Sequence, residues 1–281
     1  MKLEPDMRAL VTGAASGIGR DTARLLAKRG LKLTICDVDE VGLARVADEL
    51  GDACERSAVV DVSSREAMAE LARQVHEDGA LDVLVNNAGV GQAGGLLETS
   101  LDAWDRVLSI NLGGVIHGCH FFAPEMARAG RGHVVNVSSM LGYFGIPGAI
   151  GYSTSKFAVL GLSLSLRAEL AGHGVGVSAL CPGLIDTGIV RRTELPEGVD
   201  PESVQGPLEK LYRIRRFGPE RVAQALVRAV EENRDVAPVA VEAHALRLIE
   251  RFTPKLSRLL GRAVAWQNRR VLDAAKRSNH P

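Results

Sequence analysis

The sequence predicts an α/β fold in which a parallel sheet is covered by helices on both faces. Short apolar runs, each bounded by Gly, Asp, Asn or Ser, alternate with longer amphipathic stretches along most of the chain. The runs are continuously apolar, as expected for strands that are buried on both faces. Strands that alternate with helices form right-handed βαβ units and therefore a parallel sheet.

Seven strands and six helices follow one another along this pattern. The strands are predicted at 9–12, 33–36, 58–62, 82–86, 133–138, 175–180 and 236–241. Pro238 in the last of them is tolerated at the edge of a sheet. The helices are predicted at 18–29, 40–50, 64–78, 101–129, 152–171 and 219–232. The helix at 152–171 is apolar on nearly every side, which indicates burial all round and a second surface covered by another subunit.

Composition excludes several classes of protein. The 281 residues are 46% hydrophobic and 24% charged, which is ordinary for a soluble globular protein. Lys and Arg total 34, as do Asp and Glu, so we expect no general attraction to nucleic acid. The four cysteines form no CxxC pair, and we expect no metal site. The chain has no secretory signal at its start and no run of apolar residues long enough to span a bilayer, so a cytoplasmic protein is expected.

The chain reads as one domain with an extension. Residues 1–241 are predicted to form a dinucleotide-binding and catalytic domain, with an apolar substrate loop near 184–217. Residues 242–281 carry nine Lys and Arg against three Asp and Glu, with apolar residues at helical spacing. This basic amphipathic extension has three alternatives: it packs on its own domain, it covers the substrate site or a neighbouring subunit, or it makes peripheral contact with a membrane.

A glycine-rich loop follows the first strand and opens the first helix. TGAASGIG (12–19) contains Gly13, Gly17 and Gly19, whose backbone can turn tightly against a diphosphate at the N-terminus of the helix. Asp37 closes the second strand, where a carboxylate binds ribose hydroxyls and repels a 2′-phosphate. The loop and Asp37 predict a doubly wound sheet of the Rossmann type that binds NAD. Arg20 and Arg45 leave NADP as the less favoured alternative.

A tyrosine and a lysine share one face of a predicted helix. Tyr152 and Lys156 are four residues apart, at the start of the helix at 152–171. Ser139 ends the strand at 133–138, and in an open parallel sheet ligands bind beyond the carboxyl ends of the strands. The three side chains are therefore expected in one cleft.

These features together resemble the short-chain dehydrogenase/reductase family over about residues 7–232. The resemblance rests on TGAASGIG, Asp61, the NNAG run at 86–89, Asn111, Ser139, Tyr152, Lys156 and PGLIDT (182–187). It implies that Tyr152 is the acid or base and that Lys156 holds the nicotinamide ribose. A free tyrosine has a pKa of about 10, and an ammonium beside it favours the phenolate. Ser139 would bind the substrate oxygen, and Asn111 would hold a water that completes a proton relay.

The resemblance also implies a cofactor site. Asp61 would contact the adenine amino group, and Asn86, Ala88 and Gly89 would form the floor beneath the cofactor. The residues of the PGLIDT run would flank the nicotinamide. The complete set is Gly13, Ser16, Gly17, Ile18, Gly19, Asp37, Asp61, Val62, Asn87, Ala88, Gly89, Tyr152, Lys156, Pro182, Gly183, Ile185 and Thr187.

The expected function is that of an NAD-dependent oxidoreductase that transfers a hydride between NAD(H) and a lipophilic secondary alcohol or ketone. The alternatives are an NADPH-dependent ketoreductase, which includes reductases of carrier-bound acyl groups, and a nucleotide-binding scaffold without activity. Lyase or epimerase chemistry on the same fold is a remoter option. The expected partners are a small alcohol or ketone and further copies of the chain, in a tetramer or a dimer.

Overall fold

The fold is a seven-stranded parallel sheet between two layers of helices. The structure, a computed structural model, describes residues 1–185, 188–189, 192–196, 199–202, 206, 217–256, 259, 261 and 263. The strand order is β3-β2-β1-β4-β5-β6-β7, and every pair of neighbours is parallel. The strands are β1 (Arg8–Thr12), β2 (Lys32–Asp37), β3 (Cys54–Val59), β4 (Val83–Asn86), β5 (Gly132–Val137), β6 (Val175–Pro182) and β7 (Val236–Val239). This is the Rossmann-like, doubly wound sheet that the sequence predicts.

Helices cover both faces of the sheet. They are α1 (Gly17–Lys28), α2 (Glu40–Leu50), α3 (Arg65–His76), α4 (Leu101–Leu108), α5 (Gly114–Ala129), α6 (Ile150–Leu170), α7 (Pro219–Glu231) and α8 (Val241–Phe252). Residues of α1, α2 and α7 form the apolar core on one face, and residues of α3, α5 and α6 form the core on the other. Side chains at the helix starts fix several boundaries: Asp39, Ser64 and Ser100 each accept a hydrogen bond from a backbone N–H of the first turn.

The third strand differs from its prediction. Its expected range was 58–62, but β3 covers Cys54–Val59 and its residues alternate between half-buried and exposed. The burial of its residues alternates because β3 is an edge strand of the sheet. Val60 and Val62 lie beyond the end of the strand and are nonetheless buried in the core, so the apolar run follows burial and not strand pairing.

The predicted helix at 101–129 is interrupted. Residues Ser109–Gly113 form a π-helical segment between α4 and α5. Such segments are rare and frequently lie at functional sites. Asn111 lies within it and is fully buried.

Two other predictions change in detail. The strand at 236–241 ends at Val239, and Val241 already begins α8. β7 is an edge strand, where Pro238 is tolerated as expected. In a single chain α6 is not buried all round, because Phe157 and Leu164 are 44% and 43% exposed. No helix in the described part of the chain is long and apolar enough to cross a membrane.

Candidate active site

A cleft of about 840 Å³ opens at the carboxyl ends of the strands, where β1 and β4 carry the chain to opposite halves of the sheet. Ligands bind at this point in doubly wound folds. Sixteen of the predicted site residues line the cleft: Gly13, Ser16, Gly17, Ile18, Asp37, Asp61, Val62, Asn87, Ala88, Gly89, Ser139, Tyr152, Lys156, Pro182, Gly183 and Ile185. Gly19 and Asn111 lie behind the wall of the cleft, and Thr187 lies outside the described residues.

The glycine loop packs directly on the turn after β4. Gly13 has a φ of +66°, and a Cβ there would come within 2.7 Å of the Ala88 Cα, so both conformation and space require glycine. Asn87 Nδ2 donates to the carbonyls of Thr12 and Gly13, at 2.9 and 3.0 Å. The Asn87 and Ala88 N–H groups both donate to Thr12 Oγ1. The NNAG run therefore holds the loop in place from below.

Helix α1 presents an uncapped N-terminus to the cleft. It begins at Gly17, one residue before the prediction, and Ser16 at its N-cap makes no capping bond with its side chain. The first N–H groups of a helix lack partners inside the helix and carry a partial positive charge. An anionic group such as a diphosphate fits this position.

Asp37 is fixed at the adenosine side of the cleft. Its Oδ2 accepts from the Ala15 N–H at 2.9 Å, and its Oδ1 accepts from the Asp39 N–H at 3.1 Å. The side chain is 7% exposed, so the carboxylate is rigid and still open to the cleft. Arg20 is turned away from it, because Arg20 pairs with Glu49 on α2. Arg20 is therefore not placed to bind a 2′-phosphate beside Asp37.

Asp61 has a local structural contact as well as a position in the cleft. Its Oδ1 accepts from the N–H and the hydroxyl of Ser63, at 2.9 and 2.7 Å. The residue is exposed, and it stabilises the turn that leads into α3. The capping role that a short polar side chain commonly has in a turn is thus present here.

Ser139, Tyr152 and Lys156 all line the cleft. Ser139 follows β5, and its Oγ accepts from the Leu141 N–H at 3.1 Å, which leaves the hydroxyl hydrogen free to point elsewhere. Tyr152 and Lys156 lie one turn apart on α6, and the Lys156 Nζ is 5.7 Å from the centroid of the Tyr152 ring. The Lys156 Nζ also donates to the Val137 carbonyl at 2.9 Å, which ties the ammonium to the end of β5.

Burial changes the acidity of the lysine. Lys156 is only 4% exposed, and this removal from water lowers its pKa from 10.5 to about 8. The side chain is therefore still mainly an ammonium at neutral pH. It loses its proton only slightly above neutrality.

The Asn111 side chain makes three hydrogen bonds inside the protein. Its Oδ1 accepts from the Val90 N–H at 2.8 Å, and its Nδ2 donates to the Val90 carbonyl at 3.0 Å and to the Ser155 hydroxyl at 3.1 Å. Both amide hydrogens are engaged, and Oδ1 accepts one hydrogen bond of the two that an amide oxygen can accept. These contacts hold the backbone after NNAG against α6, and the water of the relay stays a prediction.

Comparison with known proteins agrees with this geometry. The family model described as short chain dehydrogenase matches residues 7–197. The chain belongs to the short-chain dehydrogenase/reductase family. It is thus an oxidoreductase by family.

Two relatives and one solved structure illustrate how far the similarity extends. The chain is 43% identical over 268 residues to the probable oxidoreductase EphD of Mycobacterium tuberculosis H37Rv. The aligned part covers 92% of this chain and 45% of EphD. The chain thus spans about half the length of that relative. It is 34% identical to the putative oxidoreductase SadH of the same organism, with coverage of 87% and 90%. A short-chain dehydrogenase from Burkholderia phymatum in complex with NAD superposes with a TM-score of 0.79 at 34% identity, with coverage of 89% and 95%.

Part of the cleft wall of this protein is apolar. Its described lining includes Val90, Ile110, Met140, Ile146, Leu184 and Ile189. Leu184 and Ile189 belong to the predicted substrate loop. Phe217, from the same loop, does not line the cleft: it packs on the core beside α1 and α7, with the Arg221 guanidinium 5.1 Å from its ring centroid. Four further residues of the predicted substrate loop lie outside the described residues: Val190, Leu208, Leu211 and Tyr212.

The described part of the C-terminal extension packs on its own domain. Ala243 of α8 is fully buried, its carbonyl accepts from the Tyr143 hydroxyl at 2.6 Å, and Arg247 donates to the Val236 carbonyl. Glu242 Oε1 accepts from the Leu184 N–H at 2.8 Å, next to the Pro-Gly turn that borders the cleft. The extension therefore reaches the substrate side as well.

Gln92 and Arg192 are among the cleft residues that the sequence analysis did not name. Gln92 is buried, and its side chain accepts from the N–H of Gly151 in the first turn of α6. Arg192 Nη2 donates to the Ser16 hydroxyl at 2.9 Å. Gln92 follows the NNAG run by three residues, and that proximity was the available signal. Arg192 had no local signal, because its position beside the glycine loop arises from tertiary structure.

Proposed function

We propose that the protein is an NAD(H)-dependent dehydrogenase that transfers a hydride between the nicotinamide ring and the carbon of a lipophilic secondary alcohol or ketone. The observation that carries the proposal is the position of Ser139, Tyr152 and Lys156 in the same cleft as the glycine loop and Asp37. An acid–base group and a dinucleotide site are both needed for this reaction, and an apolar wall adjoins them.

The described residues fit the cofactor. The uncapped start of α1 suits the diphosphate, and the rigid Asp37 carboxylate suits the ribose hydroxyls while repelling a 2′-phosphate. The NAD complex of the Burkholderia relative supports the same choice. Lys156 would bind the nicotinamide ribose. When bound, NAD⁺ supplies the ring that accepts the hydride.

The three polar side chains divide the work of alcohol oxidation. The Tyr152 phenolate takes the proton from the substrate hydroxyl as the carbon–hydrogen bond breaks and the hydride leaves. The Ser139 hydroxyl donates to the substrate oxygen and fixes its distance from Tyr152. The Lys156 ammonium stabilises the phenolate at neutral pH. Reduction of a ketone uses the same groups in reverse, with Tyr152 as the acid.

Tyr152→Phe tests the proposal. This change keeps the ring and removes the acid–base group, so NAD affinity should persist while turnover falls by roughly 10²–10⁴-fold. Turnover is measured as the rise in NADH absorbance when NAD⁺ and each of a panel of cyclic and linear secondary alcohols are supplied as substrates. NAD affinity is measured by the quenching of tryptophan fluorescence. Activity within about threefold of the parent protein would refute the role of Tyr152.

One observation favours a second candidate, an NADPH-dependent ketoreductase. Arg192 lies beside Ser16 at the glycine loop and brings a positive charge to the cofactor side of the cleft. Asp37 opposes this candidate by charge. The ratio of kcat/KM for NAD and NADP distinguishes the two, and we expect it to favour NAD.

We also propose that the protein is a homo-oligomer. Ile116 on α5 and Leu164 on α6 are 44% and 43% exposed in the single chain. Burial of such side chains between copies related by a two-fold axis would remove them from water. The exposed part of α6 is the surface that the sequence predicts to be covered by another subunit.

The extension is proposed to help close the apolar substrate site. Glu242 holds the backbone of Leu184, and Leu246 packs with Leu141 and Phe144 in a cluster that also contacts Tyr152. These contacts support a role beside the substrate over a membrane contact for the described part of α8.

A further inference from the structure

The helix that carries Tyr152 and Lys156 is capped by a side chain from another segment. The residue before α6, Ala149, makes no capping bond, and the first N–H groups of a helix need partners from outside it. Gln92 Oε1 accepts from the N–H groups of Gly151 and Tyr152, at 3.0 and 3.4 Å. Gln92 lies in the loop after β4, so a distant part of the chain completes the start of α6.

The orientation of the Gln92 amide is fixed from its other end. Its Nε2 donates to the Ala93 carbonyl at 2.6 Å and to Thr99 Oγ1 at 2.9 Å. Thr99 Oγ1 donates in turn to the Gly95 carbonyl. Gln92 is only 3% exposed. Because both amide hydrogens are engaged, Oε1 must face the helix.

The backbone around Gln92 joins the start of α6 to the substrate loop. The Ala93 N–H donates to the Glu194 carbonyl at 2.9 Å, and the Glu194 N–H donates to the Gly91 carbonyl at 3.1 Å. An ion pair between Arg106 and Glu194 holds the same segment. Gln92 also lines the cleft. It therefore sits where the substrate side and the tyrosine helix meet.

The fit between Gln92 and α6 is close. A Cβ on Gly151 would come within 3.1 Å of Gln92 Oε1, so only glycine allows the amide to reach the backbone without adjustment. The Tyr152 N–H is itself one of the two donors. A displacement of the amide therefore acts directly on the residue that bears the phenol.

We propose that Gln92 is a positioning residue for Tyr152: its amide oxygen fixes the first turn of α6 and thereby the distance between the phenol and the Lys156 ammonium. The proposal rests on the acid–base role given to Tyr152 above. It assigns Gln92 no contact with the reacting atoms.

The titration of the Tyr152 phenol provides the test. The chain has only three tyrosines, so subtracting the ultraviolet titration curve of Tyr152→Phe from that of the parent isolates this one phenol. Gln92→Leu removes the acceptor and keeps the side chain at nearly the same size. Its curve is corrected in the same way, by subtracting the curve of the double variant Gln92→Leu, Tyr152→Phe. We expect the midpoint of Gln92→Leu to rise by about half a pH unit or more, because the phenol and Lys156 titrate as a coupled pair, with the proton retained on the lysine beside the phenolate, only while the two groups are held together.

Thr99→Val is the matched control. It removes one partner of the Gln92 amide, whereas the bond from Nε2 to the Ala93 carbonyl still holds the orientation and both bonds to α6 remain. We expect its midpoint to stay within about 0.2 pH units of the parent. Gly151→Ala is the milder second variant: its Cβ would lie 3.1 Å from both Gln92 Oε1 and Val107 Cγ1, so the contact between the amide and α6 must adjust slightly, and we expect a smaller rise. NAD affinity should be unchanged in all three.

The outcomes separate positioning from simple support of the fold. An unchanged midpoint in Gln92→Leu, or an equal rise in Thr99→Val, overturns the proposal. If Gln92→Leu does not fold, the midpoint of Gly151→Ala decides alone. The titration needs no substrate, so a failure of the alcohol screen would count against the proposed function and not against the role of Gln92.

Discussion

Lys156→Met should make the protein more stable at neutral pH while abolishing its activity. Burial lowers the pKa of Lys156 from 10.5 to about 8, which means that the folded protein holds the ammonium at a cost. A difference of about 2.5 pKa units corresponds to about 3 kcal/mol at 1.36 kcal/mol per unit. Methionine keeps the length of the side chain and carries no charge.

One lost hydrogen bond offsets part of this gain. The Lys156 Nζ donates to the Val137 carbonyl, and methionine leaves that acceptor without this donor at a cost of about 1 kcal/mol. The expected net increase in the free energy of unfolding is therefore about 2 kcal/mol at pH 7.

The effect must depend on pH in a defined direction. Below the folded-state pKa of about 8, both folded and unfolded chains carry the ammonium, so the cost of burying it is complete. Between about 8 and 10.5 the folded chain releases its proton while the unfolded chain keeps it, so the parent gains stability as pH rises. The advantage of Lys156→Met should therefore shrink to nothing, or reverse, at pH 10.

Urea unfolding followed by circular dichroism at pH 7 and pH 10 measures both quantities. Lys28→Met removes an exposed lysine and should change the free energy of unfolding by less than about 0.5 kcal/mol at either pH. The reasoning is refuted if Lys156→Met is less stable than the parent at pH 7. It is equally refuted if the difference between the two proteins is the same at both pH values.

Three further predictions concern the cofactor and the assembly. Asp37→Ala should weaken NAD binding and raise the kcat/KM for NADP relative to NAD; an unchanged ratio would contradict the role of Asp37. Arg192→Met should raise the Kd for NAD by roughly two- to fivefold, and by less at high salt, because it removes an exposed positive charge beside the glycine loop. Calorimetry measures the Kd, and an unchanged value would show that this charge does not contribute to NAD binding. The double variant Ile116→Glu, Leu164→Glu should lower the mass in light scattering, and a parent that is already monomeric would refute the interface.

The sequence predicted the parts of the fold that depend on local pattern. The buried strands, the glycine loop and the Tyr152–Lys156 pair follow from apolar runs, from glycines that permit a tight turn and from the pitch of a helix. β3 was misplaced because Val60 and Val62 are buried beyond the last paired residue. Hydrophobicity reports burial, whereas a strand end is set by hydrogen bonding to a neighbour.

The remaining features depend on contacts between distant segments. Nothing in SINLG distinguishes a π-helical turn from an ordinary one, so the interruption of the helix at Asn111 was not predictable. Gln92 and Arg192 have their roles only because the loop after β4 meets α6 and because the substrate loop meets the glycine loop. A pattern among neighbouring residues does not show which distant segments come into contact.

The hydrogen bond from the Leu184 N–H to Glu242 joins the cleft wall to a part of the chain that is distant in sequence from the groups proposed to react. Ser139 follows β5, and Tyr152 and Lys156 lie on α6, all in the middle of the sequence. One support of the cleft wall comes instead from α8, near the C-terminus. Under the proposed role of the extension, a change near the C-terminus would alter which molecules are accepted and leave the proposed chemistry intact. Such an arrangement would let substrate range evolve separately from the reacting groups.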